Sequence, residues 1–219
     1  MNISNYPNEL IEFLSKRESL NNSELSIQIL SIEESVEYSV KLSGIAAFES
    51  LCLLPIEDSE NSNPYCYVNN GPLKGAIIYL SHDDSAKVMC ESIKSFETAL
   101  NLIIKNGEYF DEIENYFQTI SKTYNLDFEI NSLLNMPEEF EDIVEFQICI
   151  YIPLIEINNI SLLDSIANYD NMFIQEALIQ QIKKAPLKEH LNLATLLGAN
   201  PNPQVSDVAK DALIAIQNL

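Results

Sequence analysis

Short alternating apolar runs in the first hundred residues, followed by a stretch with only helical periodicity, predict an α+β protein. The expected architecture is a small, mostly antiparallel sheet packed with helices, then an all-α tail. Nearly half of the 219 residues are apolar (47%), enough to bury a core in one large domain or two small ones. The third observation is charge: 33 Asp and Glu stand against 12 Lys and Arg, a net of −21. Such a surface repels nucleic-acid backbones and anionic membranes, and its electrostatic complement is a basic protein. Acidity also serves solubility alone in many proteins.

Residues 7–20 read as a helix with Leu10, Ile11, Phe13 and Leu14 on one face, broken by Asn21-Asn22-Ser23. Leu25, Ile27 and Ile29 alternate with polar residues, which predicts a strand. Ser31 with Glu34 three positions on is a capping-box start for a helix through Val36 and Val40. A short buried strand is expected over 50–54, ended by Pro55. Residues 65–68 and 76–80 are expected to pair as a hairpin across a turn containing Gly71 and Gly75. After Asp83-Asp84, Val88, Ile93, Phe96, Leu100 and Ile103 recur at helical spacing until Gly107. The next segment, from about 106, reads as an acidic helical extension, with Phe110, Ile113, Phe117 and Ile120 on one face. Asp127 to Ile130 suggests a short extended piece, and Pro137 a helix start with acids behind it.

Pro153 and Asn158-Asn159 interrupt the periodicity, so the predicted domains are 1–150 and 151–219. In the tail, Ser161 with Asp164, then Asp170, open two helices. Pro186 precedes a third that closes at Gly198, and Pro203 starts a fourth. Short helices with Ala contacts and the Pro203-x-Val205-x-x-x-Ala209 pattern resemble HEAT-type repeats, with an ordinary helical bundle as the alternative.

The stretch 51–102 carries a further likeness. Pro55, the Asn63-Pro64-Tyr65 strand start, Gly71, Gly75, the His82-Asp83-Asp84 turn and the Ser92–Phe96 helix follow one another as in the late part of the SUKH domain. The chain therefore resembles a divergent member of that superfamily, the Smi/Knr-type group of bacterial immunity proteins and eukaryotic cell-wall regulators. The family's opening motif, a Leu-Pro and an aromatic before an Asn-Gly-Gly-like turn, has no counterpart here. The resemblance implies a protein that acts by binding another protein.

Catalytic templates are thin. His82, Asp83 and Asp84 could supply part of a metal or acid–base site, but adjacent turn residues diverge and the second histidine, His190, lies far along the chain. Strand end and helix cap account for the three residues. A Cys–His pair would need Cys52 or Cys66 beside His82, and neither cysteine has a helix-start context that would activate a thiol. Five glycines leave no phosphate-cradling loop beyond an ordinary turn. Pairs such as Glu138-Glu139 carry no specificity in so acidic a chain. The expectation is no enzyme, no cofactor and no metal. Cys52, Cys66, Cys90 and Cys149 are widely spaced beside apolar residues and read as buried, reduced thiols. With no apolar run of membrane-spanning length and no leader-like start, the expected location is cytoplasmic.

Charge by segment sharpens the partner expectation. Residues 106–150 hold 11 acids and one base, Lys122, which is almost half the net charge. Intrahelical pairing cannot absorb it. Asp111, Glu112, Glu114, Glu138, Glu139, Glu141 and Asp142 are the candidate partner-binding patch; the alternative is a solvated polar face on two amphipathic helices. The function expected is a bacterial immunity protein that binds and occludes a toxin domain, possibly a basic nuclease. The alternative is a regulatory or scaffold protein of the Smi/Knr type, holding its partners through the helical tail.

Overall fold

The computed structural model describes residues 5–58, 63–81, 86–117, 120 and 124–219, and the chain divides into two compact units, Met1–Lys122 and Thr123–Leu219. The α+β class is observed: four antiparallel strands in the first unit, and helices alone among the described residues of the second. No helix among the described residues is long and apolar enough to cross a membrane.

In the first unit, Pro7 leads into α1 (Asn8–Ser15), whose Leu10, Phe13 and Leu14 are buried, and α2 (Arg17–Leu20) follows. The strand expected at 25–29 is replaced by a 3-10 turn and isolated bridges. Asn22 caps the turn at Ser23–Leu25, and Ser26 is left-handed at φ 58°. Ile27 and Ile29 are buried as the alternation requires, but the Asn21 side chain supplies a strand partner's role. Its Nδ2 donates to the Ile29 carbonyl (3.1 Å) and its Oδ1 accepts from the Ile29 N–H (2.7 Å).

The capping box forms as read: Ser31 Oγ accepts from Glu34 N–H (3.1 Å), and Glu34 accepts from Ser31 N–H (2.7 Å) at the start of α3 (Ile32–Lys41). Buried Ser35 then ties α3 to the sheet. It meets the Tyr6 hydroxyl at 3.0 Å and donates to the Pro55 carbonyl at 2.5 Å.

After α4 (Ala46–Ser50), β1 (Leu53–Pro55), β2 (Tyr65–Val68), β3 (Ile77–Tyr79) and β4 (Lys87–Cys90) form a meander in the order β1-β2-β3-β4. The β2–β3 pair is the expected hairpin, and β1 and β2 are buried along their whole lengths. Gly71 (φ 78°) and Gly75 (φ 96°) give the connection its left-handed corners, while Leu73 between them is fully buried. Val88 differs from expectation: it lies in β4 opposite Ile78, and the helix begins only after Ser92, which caps α5 (Ile93–Asn106). The helical spacing survives because Ile93, Phe96, Ala99, Leu100 and Ile103 alone make the buried face. Gly107, at φ 69°, ends the helix.

The second unit contains α6 (Asp127–Leu134), α7 (Glu141–Tyr151), α8 (Ile160–Ala167), α9 (Met172–Lys184), α10 (Leu191–Gly198) and α11 (Pro203–Gln217). The extended piece expected at 127–130 is helix: Leu126, Ile130 and Leu133 are buried at helical spacing. Asparagine caps three of the helices through Asn159, Asn171 and Asn202, so the caps fall one or two residues from the Ser161 and Asp170 starts read in the sequence. Helix α9 packs against α7, α8, α10 and α11. That packing places the division between units near Lys122 rather than at 151–159. Val144 and Ile148 of α7 bury with the tail, and Pro153 sits in the first turn of a 3-10 segment, where its missing N–H is tolerated.

Replacing Ser31 by Ala should cost the protein about 1 kcal/mol, the usual worth of such a cap. Equilibrium urea unfolding at neutral pH measures it. The backbone hydrogen bond from Ser31 holds the Glu34 carboxyl below its ordinary pKa. The stabilisation from Glu34 is therefore present above the unfolded carboxylate range and is lost as pH falls through the lowered folded value. Ser31→Ala keeps that backbone N–H, so it is the difference between parent and Glu34→Gln that should narrow in acid.

Candidate partner-binding surface

Asp111, Glu112 and Glu114 lie on a 3-10 turn, Phe110–Tyr116, rather than on the α-helix expected there. Three residues per turn explains the segment better than 3.6. Phe110 and Ile113, three apart, are buried, while the acids between them face out. The Phe110 ring meets Tyr65 edge-on at 5.6 Å, and Phe117 lies 6.3 Å from the same ring. The aromatic anchors therefore hold the acidic turn on the core. Within it, Asn115 Nδ2 donates to Glu112 at 2.5 Å.

Glu138, Glu139, Glu141 and Asp142 belong to the second unit. The first two lie in a 3-10 turn after Pro137, and the others in the first turn of α7. The positive end of the α7 dipole favours acids there. Glu141 (3.3 Å) and Glu145 (2.8 Å) both accept from the Asn171 side-chain amide, so one neutral donor serves two carboxylates. All seven patch residues are exposed. Among the described residues none makes an ion pair; the bridges lie elsewhere, as in Lys16–Glu97 (2.9 Å) and Lys183–Asp211 (2.7 Å). The seven therefore form two acidic surfaces, one on each unit.

Sequence reading passed over Glu108, Tyr109 and Tyr116, which border the acidic turn just past Gly107. Asn106 Nδ2 donates to the Tyr116 hydroxyl (2.6 Å), which donates to Glu108 Oε2 (2.6 Å). That bond raises the Tyr116 phenol above its ordinary pKa. The helix stop at Gly107 followed by Glu-Tyr was the available signal.

His82, Asp83 and Asp84 lie outside the described residues. His190, the other histidine, is fully buried with both ring nitrogens engaged. Leu187 N–H donates to Nδ1 (3.2 Å), and Nε2–H donates to the Ile157 carbonyl (2.6 Å). It joins the start of α10 to the segment before α8 and has no nitrogen left for a ligand. Among the described residues no three His, Cys, Asp or Glu side chains are grouped to hold a metal. Burial pushes the Cys66 thiol well above its usual value, and the Cys90 and Cys149 thiols up to about 12. Comparison with protein-family models, curated proteins and solved structures gave no match.

Two outcomes follow. Replacing His190 by Leu leaves the Leu187 N–H and the Ile157 carbonyl without partners, at about 1–3 kcal/mol for each buried group, read from urea unfolding. In native protein at mildly alkaline pH, N-ethylmaleimide should modify half-exposed Cys52 well before the other three cysteines. Peptide mapping by mass spectrometry reads the order, and loss of the order in urea checks that burial sets it.

Proposed function

We propose that the protein is a non-enzymatic interaction protein of the SUKH type, an immunity protein that binds a basic toxin domain and covers its active site. The observation that carries this reading is the exposed acidic turn of the first unit. Asp111, Glu112 and Glu114 are held on a buried aromatic base, with no ion pair among the described residues. Exposed like charges on a well-anchored turn do nothing for folding, and a basic partner turns their repulsion into attraction. Toxin nucleases are commonly basic because they bind phosphate backbones. An acidic inhibitor occupies such a site and gains a fast on-rate by electrostatic steering. The SUKH-like order of Pro55, Gly71, Gly75 and the Ser92 helix supports the same class. The first unit's four-stranded meander followed by α5 is compatible with it.

A regulatory or scaffold role is the second reading. It is favoured by exposed Leu187, Leu191 and Leu196 in the second unit, where a HEAT-like helix stack would present apolar side chains to partners. Affinity purification separates the two: several endogenous partners support the scaffold, a single toxin supports immunity.

The deciding experiment is co-expression with the toxin encoded beside this protein's gene, followed by binding kinetics. Changing Asp111, Glu112 and Glu114 together to Lys should lower the on-rate by roughly tenfold or more at low salt, with the fold retained. The same reversal at Glu138, Glu139, Glu141 and Asp142 tests the second surface independently. Absence of protection and of binding by the parent protein rejects the proposal.

A further inference from the structure

The second unit buries one imidazole, and its surroundings decide which protons it can carry. His190 ends a short 3-10 turn, Lys188–His190, that leads into α10, and its side chain is fully buried. The two ring nitrogens meet backbone groups of opposite kind. The Leu187 N–H can only donate, so Nδ1, at 3.2 Å, must be an unprotonated acceptor. The Ile157 carbonyl can only accept, so Nε2, at 2.6 Å, must carry the proton. The site therefore holds one tautomer of the neutral ring. A second proton, on Nδ1, would point at the Leu187 N–H in a position closed to water, where an uncompensated charge is costly. The charged groups of the elements packed around this turn do not relieve that conflict. They are Lys188 and Glu189 in the turn, Glu156 beside Ile157, Asp164 on α8, Glu176, Lys183 and Lys184 on α9, and Asp207, Lys210 and Asp211 on α11; α10 carries none. All except half-buried Glu176 are exposed, and none bonds to the ring.

We infer that His190 is an acid-sensitive latch of the second unit, closed while the ring is neutral and released when Nδ1 takes a proton. What it holds is the link between α9 and α10. Pro186 has no N–H to give, and Leu187, Lys188 and Glu189 are exposed, so the ring is what ties Leu187 to the segment before α8. The sign follows from linkage. Once released, the ring meets water and titrates as an ordinary histidine, at about pH 6.5. In the closed form Nδ1 is occupied by the Leu187 N–H and binds no proton. The open form therefore holds more protons in acid, so closure is complete above the ordinary histidine range and weakens as pH falls through it. The latch goes beyond the partner-binding reading and needs neither acidic surface.

The test is amide hydrogen exchange of the full protein, followed by NMR between about pH 8 and pH 5, the range in which histidine titrates. Each rate is divided by the intrinsic rate at that pH to give an opening constant. For Leu187 the constant should be level at the alkaline end and rise by up to about tenfold per pH unit below about 6.5, the signature of one proton taken up. Amides of Leu178 and Ile182, on the buried face of α9, should rise less. His190→Gln offers the Ile157 carbonyl an N–H but has no group that titrates. Its Leu187 opening constant should start higher than the parent's and stay level across the range. Nitrogen spectra of the ring in the parent protein give a reading that does not depend on the variant. They should show the Nε2–H tautomer at the alkaline end, with protonation accompanied by loss of Leu187 protection. A ring that takes its second proton while Leu187 stays protected overturns the inference. So does a parent constant that is level with pH, the same slope in His190→Gln, or an equal rise across α9, which would be unfolding of the unit rather than release of a turn.

Discussion

The first unit depends on the packing of one ring, Tyr65. It sits on β2 with Tyr79 of β3 at 4.9 Å, Phe96 of α5 at 5.3 Å, Phe110 at 5.6 Å and Phe117 at 6.3 Å. Phe96 in turn meets Phe13 of α1 edge-on at 5.9 Å. Sheet, two helices and the acidic turn are therefore joined through one aromatic cluster. Such pairs contribute about 0.5–1.5 kcal/mol each beyond the apolar area they bury. Burial, with lesser contributions from Glu114 and Glu57, raises the Tyr65 phenol far above its ordinary pKa, so it stays neutral in the folded protein. Without this cluster the Phe110–Tyr116 segment would have two apolar side chains and three acids, too little to order it against the entropy of the chain.

That anchoring explains how the acids can be arranged without cations. Elsewhere in the unit charge is paired conventionally, as in Lys16 with Glu97 and Arg17 with Glu34. In the acidic turn and at the start of α7, neutral groups do the holding: Asn115 for Glu112, Tyr116 for Glu108, Asn171 for Glu141 and Glu145. An amide or phenol fixes a carboxylate's direction and leaves its field intact, whereas a lysine would cancel it. Orientation and charge are both preserved toward solvent.

How much of this was legible follows from the range of the interactions. The Ser31–Glu34 box, the hairpin glycines, the Gly107 stop and Pro203 at the first position of α11 are local devices, and each stands where the sequence placed it. Val88 fits a helix by its spacing to Ile93 and Phe96, while the strand it occupies depends on pairing with β3, which sequence does not display. The Asp127 segment departs in the other sense, its buried face set by packing of α6 on α7 and α8. The acids were visible by count, and all seven are indeed exposed. Their division between two units was not visible, because it follows from α7 packing on α9. Glu108, Tyr109 and Tyr116 come together because the chain turns back at Gly107, and the glycine stop followed by Glu-Tyr is the one local sign of it.

Charge alone would make this protein a poor discriminator. At physiological ionic strength exposed charges act over about 8 Å, enough to steer any basic protein toward an acidic surface but not to choose among them. Steering acts on association, while differences between related partners reside mostly in how slowly they leave. Selectivity therefore requires groups whose geometry is set in advance. The described surface offers such groups where neutral donors lock the Glu108 and Glu112 carboxylates near the exposed ring of Tyr109 and the half-buried ring of Tyr116. A hydrogen-bonded relay runs there from Asn106 through Tyr116 to Glu108. That relay orders three side chains at an entropic cost, and because its donors are neutral the Glu108 carboxylate it fixes keeps its full charge.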